Sequence, residues 1–239
     1  MSRQVRNCCF RRPAGITVPY VGIVMELVPS SLSVDPGRLG SMQVHLRNDG
    51  GEAADVAVEV PADDRHWSWV HPETCPVEPG GEAVVAVFFK PGCGTRPTAG
   101  THQVEIVAHG AGDSQPFAAT QGTVQVGTYS DAAASLDPMV GRDQRGSSYT
   151  FNLENTGNVP IRAALSTDDP SGALVVDVQP AQVTAEPGET ATATVTVQAR
   201  KTLKRGEQRY RVCVLAKVDG GSEFRVEGAF YQQGLKPAK

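Results

Sequence analysis

The sequence predicts an all-β protein built from two tandem immunoglobulin-like β-sandwiches. Three observations carry that prediction. Apolar and polar residues alternate with period two over many short segments, as they do along strands with one buried face. Turn residues punctuate these segments throughout, with 25 Gly and 17 Pro against 6% aromatics. The whole pattern then recurs at a spacing near 108 residues, the mark of a duplicated module. Few windows hold apolar residues at helical spacing without a Gly or Pro breaking them, so no helix is expected. The 239 residues suit two domains of about 100 residues each.

The repeat can be followed residue by residue. Val70-His71-Pro72 matches Val178-Gln179-Pro180, and Glu78-Pro79-Gly80 matches Glu186-Pro187-Gly188. His102, Val104, Ile106 and Ala108 match Tyr210, Val212, Val214 and Ala216, all 108 residues apart. Asn48 and Gly50 match Asn155 and Gly157 at 107, so one indel separates the two offsets.

Each element of the first copy follows in order. "ELV" after Met25 opens the first strand. Met42, Val44 and Leu46 form the next inward stripe, then Val56, Val58 and Val60, then Val85, Val87 and Phe89, and then Val104 with Ile106. The second copy has Tyr149, Phe151 and Leu153; Ile161, Ala163 and Leu165; Ala193, Val195 and Val197; and Val212 with Val214. One apolar face per strand requires two sheets packed face to face, and about seven strands in such a length is the size of an immunoglobulin-like sandwich. Asn-x-Gly at 48–50 and 155–157 is read as turn chemistry, Gly supplying positive φ and Asn bonding its own backbone. Pro36-Gly37, Pro79-Gly80 and Pro187-Gly188 are read as turns in the same way.

These elements divide the chain. Residues 1–24, with four arginines and no acid, form a basic N-terminal extension expected to be disordered; Met25 is a second candidate start. Residues 25–127 form the first sandwich, 128–135 a short linker, 136–233 the second sandwich and 234–239 a tail. The extension lacks a clear signal peptide and is too short to span a membrane. The first sandwich holds 5 basic and 13 acidic residues, and residues 128–239 hold 13 of each. That balance argues against nucleic-acid binding, which needs a positive face, and reads as a solvated acidic surface.

Five cysteines, Cys8, Cys9, Cys75, Cys93 and Cys213, do not make a complete disulfide framework. Residues 74–93 read as a hairpin turning at Pro79-Gly80-Gly81, which keeps Cys75 and Cys93 too far apart to bond. Free thiols and the missing signal place the chain in the cytoplasm rather than outside the cell.

Several motifs resemble the immunoglobulin-like or fibronectin-like modules of bacteria known as the NPCBM-associated or NEW3 type. "MELVPSSLSVDPG", "VHLRNDG", "WSWVHP" and "VEPGGEAVVAVFFKP" follow that family's "VELxPxxLxVxPG", "VxVxNxG", "WxxVxP" and "VxPGxxxxxxVxFxP". The resemblance covers residues 25 to about 233 and extends to two-domain actinobacterial proteins labelled hydrolytic. It implies the fold and brings no catalytic residue to any position here.

No G-x-S-x-G, H-E-x-x-H or C-x-x-C is present, and no catalytic, metal or cofactor site is expected. Asp63-Asp64 and Asp168-Asp169 fall in matching loops and read as solvated turns. His45 should face solvent, and His102 is in phase with Val104. Trp67 and Trp69, two residues apart, are placed on one strand face, either in the core or as an aromatic platform for a carbohydrate. The loop 199–208 gathers Arg200, Lys201, Lys204 and Arg205, which either stay solvated or dock on an acidic partner or on the acidic first domain of another copy. The sequence therefore reads as a non-catalytic structural or protein-interaction module that contacts partners through sheet edges and loops. An accessory carbohydrate-binding or hydrolase-associated module is the alternative.

Overall fold

The computed structural model describes residues 22–61, 66–169 and 171–235. The first sandwich contains β1 (Ile23–Val28), β2 (Ser31–Val34), β3 (Gly40–Asn48), β4 (Ala54–Glu59), β5 (Ser68–His71), β6 (Thr74–Val77), β7 (Glu82–Phe89), β8 (Gly100–Gly110) and β9 (Pro116–Val126). Its sheets have the orders β1-β3-β7-β5 and β2-β9-β8-β4-β6. The second contains β10 (Ala132–Asp137), β11 (Val140–Asp143), β12 (Gly146–Asn155), β13 (Ile161–Asp168), β14 (Leu174–Gln179), β15 (Gln182–Ala185), β16 (Thr190–Ala199), β17 (Glu207–Val218) and β18 (Glu223–Gln233). Its sheets repeat the plan as β10-β12-β16-β14 and β11-β18-β17-β13-β15. Two sandwiches therefore follow one another along the chain, with no strand shared between them.

Every inward stripe read from the sequence lies in a core. Met42, Val44, Leu46, Val56, Val85, Val87, Phe89, Val104 and Ile106 are wholly buried in the first sandwich, as are Phe151, Leu153, Ala163, Val195, Val197, Val212 and Val214 in the second. At roughly 1.5–3 kcal/mol for each large side chain removed from water, these contacts dominate the folding energy.

Among the described residues each copy has nine strand segments rather than about seven, partly because the leading strand changes sheets. β1 runs antiparallel to β3, the chain turns at Pro29-Ser30, and β2 then runs parallel to β9. Proline has no N–H to give to a ladder, which ends pairing there. Pro138 divides β10 from β11 in the same manner.

Three local expectations are corrected. First, β6 and β7 do not form a hairpin. β6 pairs with β4, whereas β7 pairs with β3 and β5, so the Pro79-Gly80 turn carries the chain from one sheet to the other. Cys75 lies opposite Val56, and Cys75, Cys93 and Cys213 are all free thiols. Second, the glycines of the Asn-x-Gly turns do not adopt positive φ, while those of the Pro-Gly turns, Gly37, Gly80 and Gly188, do. Gly157 is needed for space: a Cβ there would overlap the Tyr129 carbonyl and the Asp131 amide. Third, β10 begins at Ala132, inside the predicted linker, because its inward positions Ala132 and Ala134 are too small to stand out as apolar. The first strand starts at Ile23. Apart from its last three residues the basic extension 1–24 lies outside the described residues, as do Asp63-Asp64 and the final four residues of the tail.

The asparagines do more than bond their own turns. Asn48 accepts the Gly50 amide and donates to the carbonyls of Glu52 and Val77, at 2.8 and 3.0 Å. Asn155 accepts the Gly157 amide and donates to Val159 and Ala185, at 2.8 and 2.9 Å. Both side chains are buried. Each fastens the end of a strand in one sheet to the end of a strand in the other.

Candidate binding surfaces

The outward side chains of the sheet β1-β3-β7-β5 give the first sandwich an apolar face. Trp69 and Phe88 are directly opposite across β5 and β7, and their rings stack with centroids 5.4 Å apart at 18°. Val84 stands four residues along β7 from Phe88 on the same face, opposite His45, and Val24 and Val28 line β1. Trp69 is 45% exposed, Val84 49% and Val24 46%. The exposed Gln43, His45 and Arg47 of β3 stand between the β1 valines and β7, so the apolar side chains fall in two groups, with Trp69 and Phe88 at the β5 edge of the sheet.

Trp67 and Trp69 do not share a surface. Trp67 is 3% exposed and packs on Phe89 at 5.3 Å and edge-on to His102 at 5.8 Å. It sits in the turn before β5, where period-two counting does not apply, so the two-tryptophan platform is not formed. Phe88, which the sequence reading passed over beside the buried Phe89, takes Trp67's place as the partner of Trp69.

A second surface lies at the far end of the second sandwich, where Arg200, Lys201, Lys204 and Arg205 are all exposed. Arg200 donates to the Leu174 carbonyl at 3.0 Å. The loop backbone is held at several points: the Leu203 and Gly206 carbonyls accept from Leu235 and Gly234, and Lys201 accepts from the side chain of Gln232 at 2.8 Å. Gln232 is buried, also donating to Gln144 at 3.1 Å and accepting from Tyr210 at 3.2 Å. The four cations thus project from an ordered loop.

The outer face of the other sheet of the second sandwich is charged. Glu227 accepts from Arg211 and from Arg225 at 3.0 Å, and Arg225 reaches Asp168 at 3.5 Å. The bond from Arg211 holds the Glu227 carboxyl below its ordinary pKa, assisted by Arg225 against the effect of burial. Burial pushes the Cys213 thiol up, which makes it a poor nucleophile. Arg142 lies over the Tyr231 ring at 4.8 Å.

For catalysis, the relevant place is a cleft of about 380 Å³ in the first sandwich, lined by Glu59, Ser68, Trp69, Glu73 and His109 among others. His109 Nε2 is 3.8 Å from Glu59, beyond the roughly 3.2 Å reach of a coupled proton relay, and Nδ1 faces the Gly110 carbonyl at 3.2 Å. Among the described residues no three His, Cys, Asp or Glu side chains gather to hold a metal. Asp169 is occupied as a turn cap: against the opposing effect of burial, bonds from Ser171 and Leu174 lower its pKa. There is no helix long and apolar enough to cross a membrane among the described residues.

The two sandwiches meet at Asn158, a residue the sequence reading did not single out. Its side chain accepts the Tyr129 amide at 2.6 Å and donates to the carbonyls of Gly127 and Pro97, at 3.0 and 3.4 Å. Its backbone carbonyl accepts from Ala99 at 3.0 Å. It is 1% exposed. One buried side chain thus fixes the linker and the 91–99 loop of the first sandwich to the second.

No family model matches the chain, and no curated protein matches it. Among solved structures it is similar to the D00-D0 domain of intimin, with a TM-score of 0.40 and 14% identity over 87% of this chain and 99% of that one. It is also similar to the YadV chaperone, with a TM-score of 0.32 and 9% identity over 87% of this chain and 100% of that one. The sialic acid binding region of a Streptococcus sanguinis SK1 adhesin gives a TM-score of 0.31 and 10% identity, covering 91% and 78%. Scores this low leave the reading of the surfaces to the chain's own residues.

Proposed function

We propose that this chain is a non-catalytic protein-interaction module of the NEW3-like type, and that it grips its partner with the outer face of the first sandwich. The observation that carries this is the stack of exposed Trp69 on half-buried Phe88, with exposed Val84 farther along β7 on the same face. A large aromatic anchor open to solvent is the residue type enriched at interaction hot spots. Sheet edges and loops, the contacts expected from sequence, offer less. The edge strands are four to six residues long, so a strand added there gains few backbone bonds. Free thiols at Cys75, Cys93 and Cys213 support a reducing, cytoplasmic setting for this contact.

The test replaces the two aromatics by the residues that the second sandwich carries at the matching positions, giving Trp69→Asp with Phe88→Thr. Full-length protein and variant are used to capture partners from the native source. Proteins retained by the wild type should be lost at least tenfold from the variant, and Trp69 emission should shift on binding. Equal retention by both overturns the reading. Retention of glycans rather than proteins, with the same loss at Trp69, replaces it with the carbohydrate-binding alternative.

A further inference from the structure

We propose that copies of this chain associate head to tail, the basic end of the second sandwich seating on the acidic end of the first sandwich of another copy. The template is the joint already built within the chain. There, the 91–99 loop of the first sandwich meets the 155–158 turn of the second, and Thr95 lies beside the Gly188 turn. The repeat places an equivalent of each partner at the two free ends of the molecule. The equivalent of loop 91–99 is loop 199–206, which carries the four cations. The equivalent of turns 155–158 and 186–189 is the pair of turns 48–51 and 78–81. These are bonded into one surface, as in the second sandwich: the Gly80 amide donates to Asn48 at 2.8 Å and the Asn48 amide donates to Gly81 at 3.0 Å.

Charge makes the two free ends complementary. Lys201, Lys204 and Arg205 are exposed, and none of them forms an ion pair among the described residues. The opposite end exposes Glu52, Glu78 and Glu82 beside the Arg47–Asp49 ion pair, an acidic balance of three. The anchoring of the basic loop by Gln232, Gly234 and Leu235 lowers the ordering needed on docking. A contact between two different surfaces leaves each copy a free head and a free tail, so copies add one after another into chains or, where the rotation closes, a ring. One component of the internal joint is missing: the position of Asn158 is Gly51 in the first copy, and no linker spans the gap. The contact therefore rests on charge and is sensitive to salt.

Sedimentation of the full chain from about 10 µM to 1 mM tests this. At about 0.05 M salt the mean mass should rise with concentration, and at about 0.5 M it should not. Reversing the basic end (Lys201→Glu, Lys204→Glu, Arg205→Glu) or the acidic end (Glu52→Lys, Glu78→Lys, Glu82→Lys) should weaken association at least tenfold. Mixing the two reversed variants should restore association into chains in which they alternate, because the acidic tail of one meets the basic head of the other and its native acidic head meets the other's native basic tail. A wild type that stays monomeric at low salt overturns the proposal. So does a mixture that remains monomeric, or an association unaffected by either reversal.

Discussion

Where the first sandwich carries Trp69, the second carries Asp177; Phe88 is matched by Thr196, Val84 by Thr192, Ala86 by Thr194 and His71 by Gln179. On the inward side of the same strands Val85 and Val87 are matched by Ala193 and Val195, and all four are buried. The buried asparagines Asn48 and Asn155 are retained in the same bonds. Duplication has thus kept what the fold needs and changed what the surface offers. The first sandwich presents aromatic and branched side chains, whereas the second presents a hydroxyl stripe on one sheet and an Arg–Glu network on the other. The sister domain folds without such a patch, which is why binding is proposed for it.

The comparison breaks at once if the sandwiches are not separate folding units. Leu46 and Leu153 are matched and wholly buried. Leu46→Ala and Leu153→Ala should each cost about 2–5 kcal/mol. Each should lower only its own thermal transition, resolved by calorimetry with residue-specific NMR. A single transition that both substitutions shift equally would make the molecule one cooperative body.

Loss of a buried asparagine is the next largest effect. Asn48→Ala or Asn155→Ala strands one buried and one part-buried carbonyl and should destabilise its own sandwich by about 1–3 kcal/mol. Asn158→Ala should differ in kind. It leaves both cores intact and removes the side-chain ties to Gly127, Tyr129 and Pro97, keeping only the backbone bonds of residue 158 to Tyr129 and Ala99. Both melting transitions should stay close to wild type while nuclear relaxation shows the two sandwiches tumbling independently. Unchanged tumbling would assign the joint to other contacts.

The contrast between Asn155 and Asn158 also shows what could be read in the sequence. Alternation located the core stripes of β3, β4, β7 and β8 and of their counterparts in the second copy, because burial of one strand face is written directly in period two, but not those of β9 (Val124, Val126) or β15 (Val183, Ala185). The 108-residue repeat then located the second copy. Contacts between distant loops have no such period. Asn158 resembles any turn asparagine until the linker folds back on it, and Gln232 resembles any polar strand residue until the basic loop is seen above it. Trp67 misled because a turn precedes β5, and Phe88 was passed over because its neighbour Phe89 held the core phase. The Asn-x-Gly motif was recognised as a turn, but the close passage of residues 129–131 that demands Gly157 is visible only in three dimensions.

The functional half of the comparison can be sharpened by transplantation. Asp177→Trp with Thr196→Phe copies the aromatic pair onto the second sandwich at exposed positions, so its stability should change by no more than about 0.5 kcal/mol. A second equivalent of the captured partner should then bind, measured by titration calorimetry. Binding that stays at one equivalent would show that neighbours such as Val84 and His45 are needed as well.

The smallest effect separates the sandwiches by pH. Asp143, Asp169 and Glu227 all lie in the second sandwich and are all held below the ordinary carboxylate pKa. Asp143 is lowered chiefly by the Arg145 and Gly146 amides, and Glu227 chiefly by Arg211. For Asp169 burial acts in the opposite direction, and the Ser171 and Leu174 bonds outweigh it. A carboxylate with a lowered folded pKa contributes stability that is complete above its unfolded value near 4 and is lost as pH falls through the folded value. All three groups are exposed or nearly so, and solvent screening keeps each contribution small. Thermal melts between about pH 6 and pH 2.5 should therefore show the transition of the second sandwich falling further than that of the first as the solution passes below about pH 4. Glu227→Gln should narrow the difference by removing one of the three groups, while leaving the transition of the first sandwich where it was. An equal fall of both transitions, or an earlier loss of the first sandwich, would show that these carboxylates do not set the acid response of the second.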